Sequence, residues 1–369
     1  GVQTNQSESN DVGSFTTALF DRSSVSLNLS FNASLHALLR RDAMRVAVLT
    51  SLLCNGTSSL HLDSFGTDVV SAFIGGEYFV RVAVGTPPFS VELLVDTGSD
   101  LTWLQCQPCS HCYSQPGPIF DPRNSTTFQN VDCGMLCELL YKNNRGCQAD
   151  RCTYHQMYGD GSYTEGNIAL DSIILGNGKM VGMLLGCGHS NVIQSLYHFG
   201  GILGLGWGRM SIVDHISYRI GGVFSYCLAT STNPSPGWIT FGSEAIAPGN
   251  FWIPLIRNEQ APTYYYVGLV GLGVGGTRLP ISEEVFKLRN GNGGIAYEAL
   301  RDAYLAQTSN IPRVPPVREF EVCYNLIGVK ASQLPLITLH FDGGLVLSLM
   351  LENIFISADG IVALKILST

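Results

Sequence analysis

Tyr78-Phe79-Val80-Arg81-Val82-Ala83-Val84-Gly85-Thr86-Pro87-Pro88-Phe89-Ser90-Val91-Glu92-Leu93-Leu94-Val95-Asp96 is the stretch from which the fold can be read. Tyr78, Val80, Val82 and Val84 alternate with Phe79, Arg81 and Ala83. Gly85 and Pro87-Pro88 then make a turn, and Val91, Leu93 and Val95 alternate again. A period of two on both sides of a Gly/Pro turn predicts a β-hairpin. Further short strands are expected at Cys152 to Tyr158, Ser162 to Leu175, Met180 to Cys187, Phe224 to Leu228, Trp238 to Phe241, Tyr264 to Val274 and Leu336 to Phe341. One helix interrupts them, Ala296 to Gln307, with Tyr297, Leu300, Tyr304 and Leu305 on one face. Strands dominate, so the expected fold class is all-β.

Outward from this hairpin, the whole chain of 369 residues has room for two domains. It is 45% hydrophobic and 14% charged, with 41 glycines, which agrees with a β-rich protein. The net charge is −8, and basic residues are scattered apart from Arg40, Arg41 and Arg45, so nucleic acid is not an expected partner. Eleven cysteines, most of them between Cys106 and Cys152, and Asn-x-Ser/Thr sites at Asn5, Asn28, Asn32, Asn55 and Asn124 suit an oxidising, secretory compartment. No apolar run approaches bilayer length, so no membrane partner is expected. The chain begins with Gly, and a signal peptide is expected to have been removed or not included. The expected location is secreted or, alternatively, vacuolar.

The first seventy residues read differently. They are Ser- and Asn-rich up to Ser30, then Leu35, Leu38, Leu39, Val46, Leu49 and Leu53 surround the three arginines, predicting an amphipathic basic helix. It reads as a prosegment whose cations cover an acidic cleft, or else as a surface helix of the main domain.

The second strand of the hairpin ends in Asp96-Thr97-Gly98-Ser99-Asp100-Leu101-Thr102-Trp103. A carboxylate at the end of an apolar strand, with Gly98 letting the backbone turn behind it, is held rigidly in a low-dielectric environment. By itself the tripeptide is a common turn. Downstream, Tyr158-Gly159-Asp160-Gly161-Ser162 lies between two alternating stretches, as a bendable hairpin tip with one aromatic hydroxyl at its base. Gly201-Ile202-Leu203-Gly204-Leu205-Gly206 suits a buried strand passing close behind another loop.

With these motifs in this order, the chain resembles the pepsin-like aspartic proteases, and more closely their plant nepenthesin-like branch. Matching stretches are Glu77 to Val84, Gly85-Thr86-Pro87-Pro88, Leu94 to Trp103, Cys106-Gln107-Pro108-Cys109, Tyr158 to Ser162, Gly186-Cys187-Gly188, Gly201 to Gly206, Phe224-Ser225-Tyr226-Cys227 and Tyr297 to Ala303. The resemblance runs from about Glu77 to about Gly360. It implies a bilobal fold in which each lobe supplies one Asp. Asp96 matches the first catalytic aspartate, Tyr158 the flap tyrosine, Trp103 its hydrogen-bonding neighbour and Ser99 the hydroxyl that contacts the aspartate; Thr97 and Gly98 complete the motif. The implied organisation is a prosegment-like region at 1–72, an N-terminal lobe at 73–248 and a truncated C-terminal lobe at 249–369. The implied activity is acid peptide-bond hydrolysis by an aspartic endopeptidase acting as a monomer on an extended polypeptide, with no metal or other cofactor.

One feature departs from the resemblance. The family carries a second Asp-Ser/Thr-Gly before a helix, whereas here Gly291-Asn292-Gly293-Gly294-Ile295 joins that helix directly and no such tripeptide follows Asp96. The chain also stops at Thr369, before the family's second apolar-apolar-Gly stretch and closing strands. An excision with both flanks intact reads as an alternative splice product or a gene-model error rather than gradual decay. The second lobe is therefore expected to be incomplete and the activity impaired; a non-catalytic binding or inhibitor protein on the same fold is the alternative.

Three other motifs carry weaker signals. Cys106-x-x-Cys109-x-x-Cys112 with His111 has metal-ligand spacing, but beside Cys133, Cys137, Cys147 and Cys152 it is expected to form disulfides, of unread connectivity. The odd cysteine count leaves one thiol over, expected to be Cys323. Gly271-x-Gly273-x-x-Gly276 matches a dinucleotide fingerprint only formally, because Thr277-Arg278-Leu279-Pro280 opens no helix to hold a pyrophosphate. Ser99 or Ser162 with His155 or His189 has no nucleophile-elbow pattern around either serine.

Overall fold

The computed structural model describes residues 16–20, 64–71, 77–134, 137, 145–194, 199–228, 237–246, 251–287, 293–316, 320–358 and 361–364. The segment read as a basic prosegment helix, Leu35 to Leu53, lies outside the described residues. Two compact units emerge, the first holding residues 59–158 and 162–250, the second residues 251–369.

The predicted hairpin forms as β1 (Tyr78–Val84) and β2 (Phe89–Asp96), paired in register from Phe79↔Leu94 to Val84↔Phe89. With β3 (Trp103–Gln105), β4 (Arg151–Met157), β5 (Tyr163–Leu175), β6 (Gly178–Val192) and β7 (Gly201–Gly204), they make the heart of a 13-stranded sheet. The pairing order β1-β2-β7-β3-β6-β5 returns to β1 through Val82↔Leu175, so these strands close into a barrel. β7 runs parallel to β2 and antiparallel to β3, and β6 runs parallel to β3. Parallel neighbours cannot be joined by tight turns, which is why β7 lies far from β2, and β6 far from β3, in sequence.

Both faces of the hairpin are covered. Val80, Val82, Val84, Val91 and Leu93 enter one core with Leu185, Leu203 and Ile239, while Phe79 and Leu94 enter a second with Trp103, Ile168 and Ile202. Leu93 and Leu94 are adjacent and both buried, as expected for a strand between two packed layers. Two of the expected strands run somewhat differently. β6 reaches 15 residues, beyond the expected Met180 to Cys187, because it pairs along the length of β5 in one long ladder, accommodated by register shifts at Met180/Met183 and Gly188/Ser190. The stretch Tyr264 to Val274 divides into Tyr266–Val267 and Leu269–Val274. Before Glu77, where no strand was expected, Thr16–Phe20 and Ser64–Ser71 pair into this sheet.

The second unit holds smaller sheets. Thr277–Arg278, Leu269–Val274, Ile337–Phe341 and Val346–Ser348 form one of four strands. Arg313–Val314, Cys323–Tyr324, Ile361–Leu364 and Phe355–Ala358 form another, and Leu255–Ile256 pairs with Tyr266–Val267. Their shared core includes Leu272, Val274, Ile337, Tyr324 and Phe355 with Leu300 and Tyr304 of the helix. That helix begins at Gly293, not Ala296, and ends at Gln307 as expected. The entropic cost of glycine is felt in helix interiors, and Gly293 and Gly294 lie in the first turn instead. Tyr297, Leu300 and Tyr304 are buried and Leu305 half-buried, matching the predicted apolar face. No helix among the described residues is long and apolar enough to cross a membrane.

Candidate active site

Asp96 is the last residue of β2, paired with Gly204 of β7, and its carbonyl accepts from the Leu205 amide at 2.8 Å. The chain then turns tightly: the Gly98 amide donates to Asp96 Oδ1 at 2.9 Å and the Ser99 hydroxyl to Oδ2 at 2.6 Å. Each carboxylate oxygen thus accepts one bond from the turn that follows it, which fixes the plane of a half-buried group.

The turn is clamped from behind by β7. Residues 100–101 pass so close to Gly204 that a Cβ there would lie 2.2 Å from the Asp100 carbonyl oxygen, and a Cβ on Gly201 would lie 1.9 Å from that of Trp103. Two side chains that sequence reading did not single out complete the clamp. Asp100 Oδ1 accepts from the Gly208 amide at 2.9 Å, and Thr102 Oγ1 accepts from the Gly204 amide at 3.2 Å. Both are buried at 6% and 2% exposure. Their signal was visible, as polar residues beside Leu101 and Trp103 at a strand end, where a buried oxygen requires a donor.

Trp103 is fully buried, and its indole Nε1–H donates to the Tyr158 hydroxyl at 2.7 Å across 55 residues. Tyr158 stands at the base of the β4–β5 hairpin, closed by its amide donating to the Ser162 carbonyl at 2.8 Å, with Gly161 at φ +85° within the tip. Burial pushes the phenol well above its ordinary value near 10, and the neighbouring Asp96 carboxylate adds to this. Tyr158 is therefore a neutral donor at any acidic or neutral pH. The structure thus brings Asp96, Gly98, Ser99, Trp103 and Tyr158 together, and Thr97 sits half-buried in the turn.

The cysteine cluster forms disulfides: Cys109–Cys112, Cys133–Cys147, Cys137–Cys152 and Cys106–Cys187, the last reaching outside the cluster to β6. Cys323 carries no disulfide, as expected, but Cys227 does not either, so two described thiols rather than one are left over; Cys54 lies outside the described residues. Among the described residues no cluster of His, Cys, Asp and Glu has metal-binding geometry. Gly271 and Gly273 lie within a strand, and Gly276 is followed directly by the strand Thr277–Arg278 rather than by a helix. His155 pairs with Glu165 and stacks on Tyr163, while His189 contacts the Pro108 carbonyl.

Comparison with known proteins extends this. Family models described as xylanase inhibitor N-terminal and C-terminal match residues 78–243 and 264–364. The Arabidopsis thaliana protein Aspartic Protease in Guard Cell 2 is 40% identical, covering 88% of this chain and 73% of its own length. Aspartic proteinase nepenthesin-1 of Nepenthes gracilis is 33% identical over 91% of this chain and 79% of its own. Among solved structures, conglutin gamma, a basic 7S globulin from lupine seeds, covers 83% of this chain and 86% of its own, with a TM-score of 0.62 at 20% identity, a likeness of fold alone. On the strength of the first two relatives and of the barrel that positions Asp96, this chain belongs to the pepsin-like aspartic protease family, among its plant members.

Proposed function

We propose that the chain is an aspartic-type endopeptidase by descent whose own hydrolysis is impaired, because Asp96 lacks the second aspartate. The observation that carries this is the direct junction of Gly294 to Ile295, with no Asp-Ser/Thr-Gly after Asp96. In the two-aspartate mechanism, two carboxyl groups share one proton; one activates water while the other protonates the scissile carbonyl. A single carboxyl group cannot serve both ends, and general acid–base help from one positioned group contributes roughly 10²–10⁴-fold. The helix after the junction supplies no evident substitute. Glu298 is exposed, and Asp302, 65% exposed, accepts from Arg301 Nε at 2.8 Å.

The substrate class is an extended polypeptide, over which the Tyr158 hairpin tip closes. The four disulfides and the exposed Asn124 of an Asn-Ser-Thr site support an oxidising secretory compartment. A second reading, a binding protein that retains the fold without the chemistry, is favoured by the same missing aspartate. Retention of Asp96, Ser99 and Tyr158 with their hydrogen bonds favours the first.

The test compares this chain with one carrying a family-like strand and Asp-Ser-Gly turn between Gly294 and Ile295, each assayed on a denatured protein at about pH 3. The repaired chain is expected to digest it and the native chain to fall short by ~100-fold or more. Equal digestion by the native chain, abolished by Asp96→Ala, would refute the account.

A further inference from the structure

A cavity of about 760 Å³ opens in the first unit beside the disulfide loop, lined among others by Pro108, Arg123, Phe128, Arg151, Asn167 and His189. Its size is within the ~300–1,000 Å³ of small-molecule sites, and none of the residues around Asp96 lines it. In a chain of net charge −8 it gathers two guanidinium groups.

These groups are placed by a rigid frame. Arg151 opens β4 directly after the tight turn Ala149 (φ 50°) and Asp150 (φ 60°), and the disulfides of Cys147 and Cys152 grip the hairpin on both sides of that turn. Its side chain is exposed and has no ion-pair partner among the described residues. Arg123 is oriented by Asp121, which accepts from Nε at 3.0 Å and from Nη2 at 2.7 Å. His189 Nδ1 lies 2.9 Å from the Pro108 carbonyl. A carbonyl can only accept, so Nδ1 carries a proton and Nε2 remains for a ligand.

We propose that this cavity binds an acidic oligosaccharide, one uronate carboxylate pairing with Arg151 while the sugar ring lies against Phe128 and Pro108. A free guanidinium matches a carboxylate with two parallel N–H···O bonds. The Asn167 amide both donates and accepts, as sugar hydroxyls require, and the apolar walls suit the C–H face of a ring. An acidic peptide fits less well. Peptides add to open strand edges, whereas Asn167 of β5 is paired there with β4 on one side and with β6 on the other.

The probe is trigalacturonate, titrated calorimetrically into the full chain at low salt beside its neutral methyl ester and an oligoglutamate of equal charge. The acid is expected to bind, and the ester and oligoglutamate to bind at least about tenfold more weakly. Arg151→Ala, at an exposed position and checked for native circular dichroism, is expected to weaken the acid about tenfold. Arg81→Ala, an arginine paired with Glu92 elsewhere in the unit, is expected to leave it unchanged. No binding of the acid, equal binding of the ester, tighter binding of oligoglutamate, or full binding by Arg151→Ala would each overturn the proposal.

Discussion

Gly204→Ala should damage the scaffold behind Asp96 more than any exposed glycine substitution. The new Cβ would sit 2.2 Å from the Asp100 carbonyl oxygen, 2.4 Å from its carbon and 2.8 Å from the Leu101 carbonyl carbon. All three are backbone atoms, so no side chain can rotate away. Relief requires a movement of roughly 1 Å to restore van der Waals separation. β7 is hydrogen-bonded to β2 on one side and β3 on the other, so the movement must disturb the Gly204↔Asp96 pairing. Overpacking of this kind costs about 1–3 kcal/mol and occasionally more, and the absence of a flexible neighbour places this site near 3. With a urea dependence of about 2 kcal/mol/M, the midpoint should fall by about 1.5 M. Hydrogen exchange at the Leu205 amide, which donates to Asp96, should accelerate in parallel. Gly117→Ala is the comparison, because its Cβ would meet nothing within 4 Å and its φ of +80° costs about 1–2 kcal/mol. A midpoint for Gly204→Ala no lower than that of Gly117→Ala would refute the close-approach argument.

Three further outcomes are expected. Removing Cys106–Cys187, which spans 81 residues, should destabilise the first unit by about 4.5 kcal/mol, against under about 2 for Cys109–Cys112; equal urea midpoints for the two double-alanine variants would contradict this. Burial raises the phenols of Tyr113, Tyr154, Tyr158 and Tyr304 above their ordinary value near 10. Above that pH the unfolded chain releases protons that the folded chain keeps, so this stability is complete below ~10 and is lost as pH rises toward the folded values. Tyrosinate absorbance from these residues should appear only together with loss of circular dichroism, and full ionisation in a native spectrum would contradict it. Elemental analysis of dialysed protein should find no stoichiometric zinc or iron, whereas one metal per chain would overturn the disulfide assignment of Cys106, Cys109 and Cys112.

The hairpin, most strand positions and the helix face of Tyr297, Leu300 and Tyr304 were legible in the sequence because alternation, helical period and turn chemistry are local. The same holds for the turn that Gly98 permits behind Asp96, whereas the Ser99 contact, only three residues away, was legible through the family resemblance. Trp103 with Tyr158 was legible only through the family resemblance, since 55 residues separate them and nothing in their spacing predicts that an indole will meet a phenol. The partner of Cys106, the parallel pairing of β7 with Asp96, the acceptor roles of Asp100 and Thr102, and the cavity around Arg151 were decided by tertiary structure alone. Each depends on which strands become neighbours once both faces of the sheet are buried. Of the register choices open to each strand, only one buries its apolar side chains and pairs its backbone on both edges, and that choice involves the whole barrel rather than any single segment.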